Sequence, residues 1–315
     1  MTADVPLVRT CSVWRALEVI GDLPVLLIAE ALWQGARRFT EIAAATGLPR
    51  AVIAQRLARL EAHGLVRQAA PSPSARQHGY RFTRKGVETY PVALMALRWE
   101  ELWGQPAGRS ASPRPRLVHL SCGMAILPKP ACSACHAALD AREVDFRPGP
   151  GLGWMPADYS RRRARIAAAP AAGRLAGAAA AILGDRWAML VLRALFTGSS
   201  RFGAIRAETG MATNVLADRL AGLAARGLLA PDADGPGRPR YRLTAAGLDF
   251  YPVILALMDW GDRWYASPEG PPVLLSHRPC RQDMRLVILC PACGARLEPG
   301  ATRLSTEEPS PTPTA

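Results

Sequence analysis

No stretch of this chain combines the length and apolarity needed to cross a membrane. Its most apolar-looking segment, residues 164–183, is mostly alanine and is interrupted by Arg165, Pro170 and Arg174, whereas a spanning helix needs about 20 consecutive apolar residues. The first residues lack a basic segment followed by an apolar core, so the expectation is a cytoplasmic protein with neither a secretory leader nor a membrane partner. Aromatic residues are few, at 6% of the chain, which argues against a protein that grips RNA by stacking bases on exposed rings. Acidic residues are outnumbered, with 26 Asp and Glu against 39 Lys and Arg and a net charge of +13. That imbalance asks for a polyanionic partner, nucleic acid first and an anionic membrane surface second. Cysteine is confined, because six of the seven lie in one repeated cluster. Such clustering fits thiolate chemistry in a reducing compartment better than a secreted disulfide scaffold.

What the chain does contain is itself, twice. Gly21-Asp22 recurs as Gly184-Asp185, Phe39 as Phe202, Gly47 as Gly210, Arg56-Leu57 as Arg219-Leu220 and Gly64 as Gly227, each 163 positions on. Tyr80, Gly86, Tyr90-Pro91, Trp99 and Trp103 reappear as Tyr241, Gly247, Tyr251-Pro252, Trp260 and Trp264 after a shift of 161, and a His/Cys cluster follows at a shift of 158. A period this long is the duplication of a whole domain, since solenoid repeats run to about 20–50 residues. At 315 residues and 49% hydrophobic content, the chain has material for two ordinary cores.

Within each copy the pattern begins helical. Val13, Leu17 and Ile20 sit at helix spacing, residues 25–32 form a second apolar stretch, and residues 38–42 open a short helix that ends at Thr46-Gly47. Residues 50–62 then carry Ile53, Leu57 and Leu60 on one face, so two helices flank a turn containing glycine, a helix-turn-helix. Gly64 stops the second helix, and two short strands around a basic Pro/Ser-rich loop lead to Tyr80, forming a wing. The second copy repeats these parts, with its second helix over residues 213–225 and a hairpin around residues 235–242. The fold class expected is α+β, mostly α: winged helix-turn-helix domains at 1–110 and 171–268, and small zinc-binding modules at 111–147 and 269–299. A Gly/Pro- and Arg-rich linker falls at 148–170, with four arginines in 161–165, and a disordered tail at 300–315.

Both copies resemble the HxlR-type winged helix-turn-helix family of bacterial transcription regulators. The resemblance rests on Ile182-Leu-Gly-Asp-Arg-Trp-Ala-Met-Leu190, Arg201-Phe202, Ala217-Asp-Arg-Leu-Ala-Gly-Leu223, Gly227-Leu228, Arg240-Tyr-Arg-Leu-Thr-Ala-Ala-Gly247 and Trp260-Gly261, and covers about 100 residues of each copy. The first copy departs from it with Leu23-Pro24 where the second has Arg186-Trp187. The resemblance implies binding of double-stranded DNA, no enzymatic activity, and a part in dimerisation for the helices bearing Trp99/Trp103 and Trp260/Trp264. The i, i+4 spacing of those pairs places each on one helix face.

A recognition helix turns its apolar face inward and offers polar side chains to base edges and phosphates. In the first copy this leaves Arg50, Gln55, Arg56 and Arg59; in the second, Thr213, Asn214, Asp218 and Arg219. Gln55 and Asn214 suit adenine, and Arg50 suits guanine or a phosphate. Arg56 and Arg219 are equivalent, and two readings stay open for them: a phosphate contact, or a brace against a neighbouring carboxylate. The wing arginines Arg76, Arg81, Arg238, Arg240 and Arg242 suit phosphates or a narrow minor groove.

His119 and Cys122 are followed after nine residues by Cys132 and Cys135; His277 and Cys280 are followed after nine by Cys290 and Cys293. Each set reads as a Cys3His structural zinc site, two Zn2+ in all, with His136 as an alternative ligand in the first copy. Cys11 stands outside this pattern, opposite Arg174 in the second copy. The resemblance implies a redox switch at such a cysteine, while a small buried residue is the plainer reading. The reading reached is a sequence-specific DNA-binding regulator, responsive to a small-molecule effector or to redox state, acting as an intramolecular pseudo-dimer or a homodimer. The alternative is a zinc-ribbon protein that binds RNA or a protein partner. A catalytic zinc finds no H-x-E motif or matched glutamate to serve as its base.

Overall fold

The computed structural model describes residues 7–69, 79–104, 115–156, 177–232 and 240–305. The first copy consists of strand β1 (Leu7–Arg9), helices α1 (Ser12–Ile20), α2 (Leu23–Trp33), α3 (Phe39–Thr46) and α4 (Arg50–Ala62), the wing strands β2 (Val66–Ala69) and β3 (Gly79–Phe82), the short α5 (Arg84–Val87) and the long α6 (Tyr90–Trp103). Strands β4 (Arg116–His119), β5 (Lys129–Cys132), β6 (Val144–Pro148) and β7 (Trp154–Pro156) follow. The second copy repeats the order as α7 (Gly177–Leu183), α8 (Arg186–Phe196), α9 (Phe202–Thr209), α10 (Thr213–Ala225), β8 (Leu229–Asp232), β9 (Arg240–Leu243), α11 (Ala245–Leu248) and α12 (Tyr251–Trp264). It ends in β10 (Val273–His277), β11 (Gln282–Asp283), β12 (Leu286–Leu289) and β13 (Thr302–Ser305).

Local chemistry explains why the repeated residues recur. Asp22 and Asp185 cap α2 and α8, accepting from the N–H groups of Val25 at 2.9 Å and of Trp187 and Ala188 at 3.1 and 3.2 Å. Pro24 falls in the first turn of α2, where its missing N–H leaves no bond unmade, so the Leu23-Pro24 departure keeps the helix whole. Gly47 and Gly210 end α3 and α9 in left-handed conformations, φ 64° and 67°, which turn the chain into the second helix. Gly86 and Gly247 are close approaches: a Cβ there would lie 2.1 and 2.2 Å from the carbonyl oxygens of Leu65 and Leu228. Recognition-helix anchors Ile53, Leu57 and Leu60, and their counterparts Leu216, Leu220 and Leu223, are buried.

The two copies clasp each other reciprocally. Helix α1 of the first packs on α12 of the second, α7 of the second on α6 of the first, and α6 crosses α12. Trp99 donates from its indole N–H to the Ala246 carbonyl at 2.8 Å, and Trp260 donates to the Lys85 carbonyl at 3.0 Å. Trp103 donates to Asp249 at 2.8 Å, and Trp264 to Glu88 at 2.9 Å. Lys85 and Glu88 are the repeat equivalents of Ala246 and Asp249, so these bonds are related by a pseudo-two-fold axis. Arg98 and Arg263 add ion pairs to the same Asp249 and Glu88, at 2.7 and 3.1 Å.

The axis continues through the sheets. Strand β4 pairs with β13, its equivalent β10 pairs with β6, and β5 pairs with its own equivalent β12, with Pro130 opposite Ile288. The segments expected to form separate modules at 111–147 and 269–299 therefore interleave, because their strands, except the short β11 that pairs with β10, find antiparallel partners in the other copy. Thr302–Ser305, expected in a disordered tail, is strand β13. Trp154–Pro156, expected in the linker, pairs with Leu7–Arg9. Arg161 to Arg165 lie outside the described residues.

Candidate nucleic-acid interface and metal centres

Helices α4 and α10 present their polar faces to solvent. Arg50 and Gln55 are exposed on α4, and Thr213, Asn214 and Asp218 on α10. The Arg50 guanidinium lies 4.9 Å from the centre of the Phe39 ring, which props it at the start of the helix. Arg56 and Arg219 do not join them. Arg56 reaches Asp22 at 2.6 Å, and Arg219 reaches Asp185 at 2.6 Å, all with side chains largely withdrawn from solvent. Arg59 likewise turns back and donates to the carbonyl of Glu18. These three arginines brace the recognition helices against the preceding helices. The signal was in the sequence, since Asp and Arg recur together at the same 163-residue shift.

In the wings Arg81, Arg240 and Arg242 are exposed, alternating with the more buried Tyr80, Phe82, Tyr241 and Leu243. Arg76 and Arg238 lie outside the described residues. Sequence reading passed over Arg67, an exposed residue directly across the ladder from Arg81. Like charges placed directly opposite one another cost stability. Hairpin register, which composition does not reveal, was the missing signal.

The His/Cys residues gather into two clusters, and each draws on both copies. His119 and Cys122 meet Cys290 and Cys293, while His277 and Cys280 meet Cys132 and Cys135. The grouping expected within each copy is thus corrected to a crossed one. Its cause is the strand pairing, which sets each His-x-x-Cys loop against the other copy's Cys-x-x-Cys loop.

Neighbouring ligand atoms are 3.3 Å apart for His119 Nδ1 and Cys122 Sγ, 3.5 Å for His119 Nδ1 and Cys293 Sγ, and 3.8 Å for Cys122 and Cys290. The second cluster has 3.3 and 3.4 Å from His277 Nδ1 to Cys135 and Cys280, and 4.0 Å between Cys132 and Cys280. Tetrahedral zinc with Zn–S of about 2.3 Å and Zn–N of about 2.0 Å has edges of about 3.8 Å between sulfurs and about 3.5 Å between sulfur and nitrogen. The donor set and spacing fit that ion, and the sulfurs are far beyond the roughly 2.05 Å of a disulfide. His119 and His277 are fully buried with Nδ1 turned to the thiols.

All four loops share one build. The N–H groups of Gly123, His136, Arg281 and Gly294 bond back to the carbonyls of His119, Cys132, His277 and Cys290, at 2.7–2.9 Å. Each of those four residues has positive φ, between 57° and 75°. His136 is therefore the turning residue of its loop, the counterpart of Gly294, and stands outside the ligand set.

Cys11 is buried and caps α1, its sulfur accepting from the Trp14 N–H at 3.4 Å. Arg174, its repeat partner, lies outside the described residues.

A helix-turn-helix family described as HxlR-like matches this chain twice, over residues 19–107 and 182–269, together more than half its length. The chain belongs to the HxlR-like helix-turn-helix family. It is 38% identical over 141 residues to the uncharacterized HTH-type transcriptional regulator MT3179 of Mycobacterium tuberculosis, a match spanning 44% of this chain and 87% of that one. One copy here thus corresponds to nearly the whole of that relative. Sll1512 of Synechocystis, also an uncharacterized HTH-type transcriptional regulator, is 37% identical over 86 residues, 26% of this chain and 64% of that one. Among solved structures, PA1607, a candidate transcription factor, is 32% identical with a TM-score of 0.38, covering 40% of this chain and 90% of that one. As an HxlR-like protein the chain belongs with DNA-binding transcription regulators, which as a group are not enzymes. No helix among its described residues is long and apolar enough to cross a membrane.

Proposed function

We propose that this chain regulates transcription by binding specific double-stranded DNA as a pseudo-dimer made within one polypeptide. The observation that carries this reading is the reciprocal clasp of α1, α6, α7 and α12, which relates two complete helix-turn-helix units by a pseudo-two-fold axis. Operators with two-fold symmetry are read by proteins of matching symmetry. Here the halves differ: α4 offers Arg50 and Gln55, and α10 offers Thr213, Asn214 and Asp218. Arg50 suits guanine or a phosphate, Gln55 and Asn214 suit adenine, and the acidic Asp218 suits the amino group of cytosine. Wing residues Arg67, Arg81, Arg240 and Arg242, with Arg76 and Arg238 beyond the described segments, supply phosphate contacts that position without specifying.

Zn2+ would be held by His119, Cys122, Cys290 and Cys293, and by Cys132, Cys135, His277 and Cys280. The ion supplies charge neutralisation for three thiolates and a cross-link. Its role is structural, and because each site takes ligands from both copies it fixes one copy on the other. We assign any ligand response to a small molecule, since Cys11 is a buried helix cap and a redox sensor needs an exposed thiol.

Selecting duplexes from random sequence tests the reading. The expected site is an imperfect palindrome with half-sites about 10 base pairs or a multiple apart. Arg50→Ala and Asn214→Ala should relax preference in different halves, each by about 1–3 kcal/mol. A perfect palindrome would contradict the pseudo-dimer and favour two chains each using one domain.

A further inference from the structure

Equivalent pockets in the two copies differ tenfold in size. The one in the first copy encloses about 600 Å³ between α2, α6, α7 and the ends of β4 and β13. Its counterpart between α8, α12 and β10 encloses about 60 Å³. Side-chain size accounts for the difference. Where the first copy has Ala29, Thr89, Ala93 and Ala96, the repeat register gives Leu192, Phe250, Ile254 and Leu257, all four buried. The first copy's larger Val25 and Trp33, against Ala188 and Phe196, return only part of that volume. The larger pocket has an open mouth, and about 300–1,000 Å³ is the range of clefts that take drug-sized molecules.

The lining identifies the ligand's chemistry. Trp33 stacks near Phe82 and Tyr90, with ring centres 4.8 and 5.3 Å away, giving an aromatic wall. Glu30, hydrogen-bonded by the Gln34 amide at 3.1 Å, and Arg303 put one charge of each sign in the lining, and the rest of it is mostly apolar. Aromatic faces among apolar side chains, with no net charge around them, favour an uncharged ring-bearing body. We propose that the first copy alone binds a lipophilic, uncharged ring-bearing molecule in this cavity.

The inference rests on the regulator reading for its purpose. The walls are α2, whose Asp22 holds Arg56 of the recognition helix, and α6, which crosses to the second copy. A ligand wedged between them acts on both.

The test uses the full-length, zinc-loaded chain without DNA, titrated with the uncharged naphthalene dye Prodan and with the fluorescent aromatic cation berberine. The expected result is one Prodan per chain, with berberine bound at least tenfold more weakly. Ala29→Leu with Ala93→Ile, which installs the second copy's residues, should weaken Prodan at least tenfold with zinc content and thermal midpoint unchanged. Two Prodan molecules per chain, undiminished binding in the filled variant, or tighter binding of berberine would overturn the proposal. Duplex affinity of the dye-free chain is measured separately. Its absence would sink the regulator reading and leave the cavity result standing.

Discussion

Asp22 and Asp185 each serve two partners, since one carboxylate caps a helix and grips an arginine of the recognition helix. The cap satisfies N–H groups that the helix cannot, and the ion pair, partly shielded from water, sets the angle at which α4 or α10 stands out from its domain. Asp185→Ala should cost about 2 kcal/mol in urea denaturation, and Asp185→Asn, which keeps a capping oxygen, about half of that. Arg50→Ala, at an exposed position, should leave stability within about 0.5 kcal/mol and change DNA selection only. His136 makes a second residue-scale case. A left-handed histidine is strained where glycine is not, so His136→Gly should keep both metals and match or exceed the wild type's stability by up to about 1 kcal/mol. Loss of a metal in that variant would restore His136 to the ligands.

Among the elements, α12 holds a carboxyl that its burial perturbs strongly. Burial pushes Asp259 up to about 6, against the opposing pull of Arg285. The folded value lies above the unfolded one, so the group's contribution is full below about pH 4 and is lost as pH rises through about 6. Asp259→Asn should therefore gain stability relative to wild type between pH 5 and pH 7, compared by urea midpoints at each pH. An unchanged difference across that window would mean the carboxyl titrates normally.

How well the sequence revealed an element depended on whether its signal was local. The recognition helices were legible to the residue, Arg50–Ala62 and Thr213–Ala225, because apolar spacing and the flanking glycines act within one turn. Strand β13 was not: Thr302–Ser305 sits among Pro, Ser, Thr and Glu, and only β4, nearly two hundred residues away, makes it a strand. The metal ligands were legible as a set, but their grouping was not. Two copies with identical spacing give the same four donor types whether a His-x-x-Cys loop meets its own Cys-x-x-Cys loop or the other copy's, and only the antiparallel pairing of β5 with β12 decides. For Arg56 and Arg219 the brace against a carboxylate was one of two readings the repeat left open, whereas Arg59 looked like surface charge, since polarity alone does not tell an arginine facing DNA from one turned back onto its own domain.

On the scale of the whole molecule, the duplication sets two copies of one domain against each other within a single chain. Single-copy relatives such as MT3179 match one half of this protein along most of their length, and the reciprocal tryptophan bonds and crossed strands join the halves here. Covalent linkage removes any dependence of that interface on protein concentration, and it allows the halves to diverge, as the unlike recognition helices and the unequal cavities have done. The crossed His/Cys clusters are the strongest statement of this union, because each draws two residues from either copy.

Zinc content of two double variants tests that claim most directly. Cys122→Ser with Cys290→Ser removes two ligands of one crossed site, so the purified chain should keep about one zinc, whereas Cys122→Ser with Cys132→Ser damages both sites and should keep about none. The opposite pattern, none in the first variant and one in the second, would show that each copy closes its own site and would contradict the interlocked architecture.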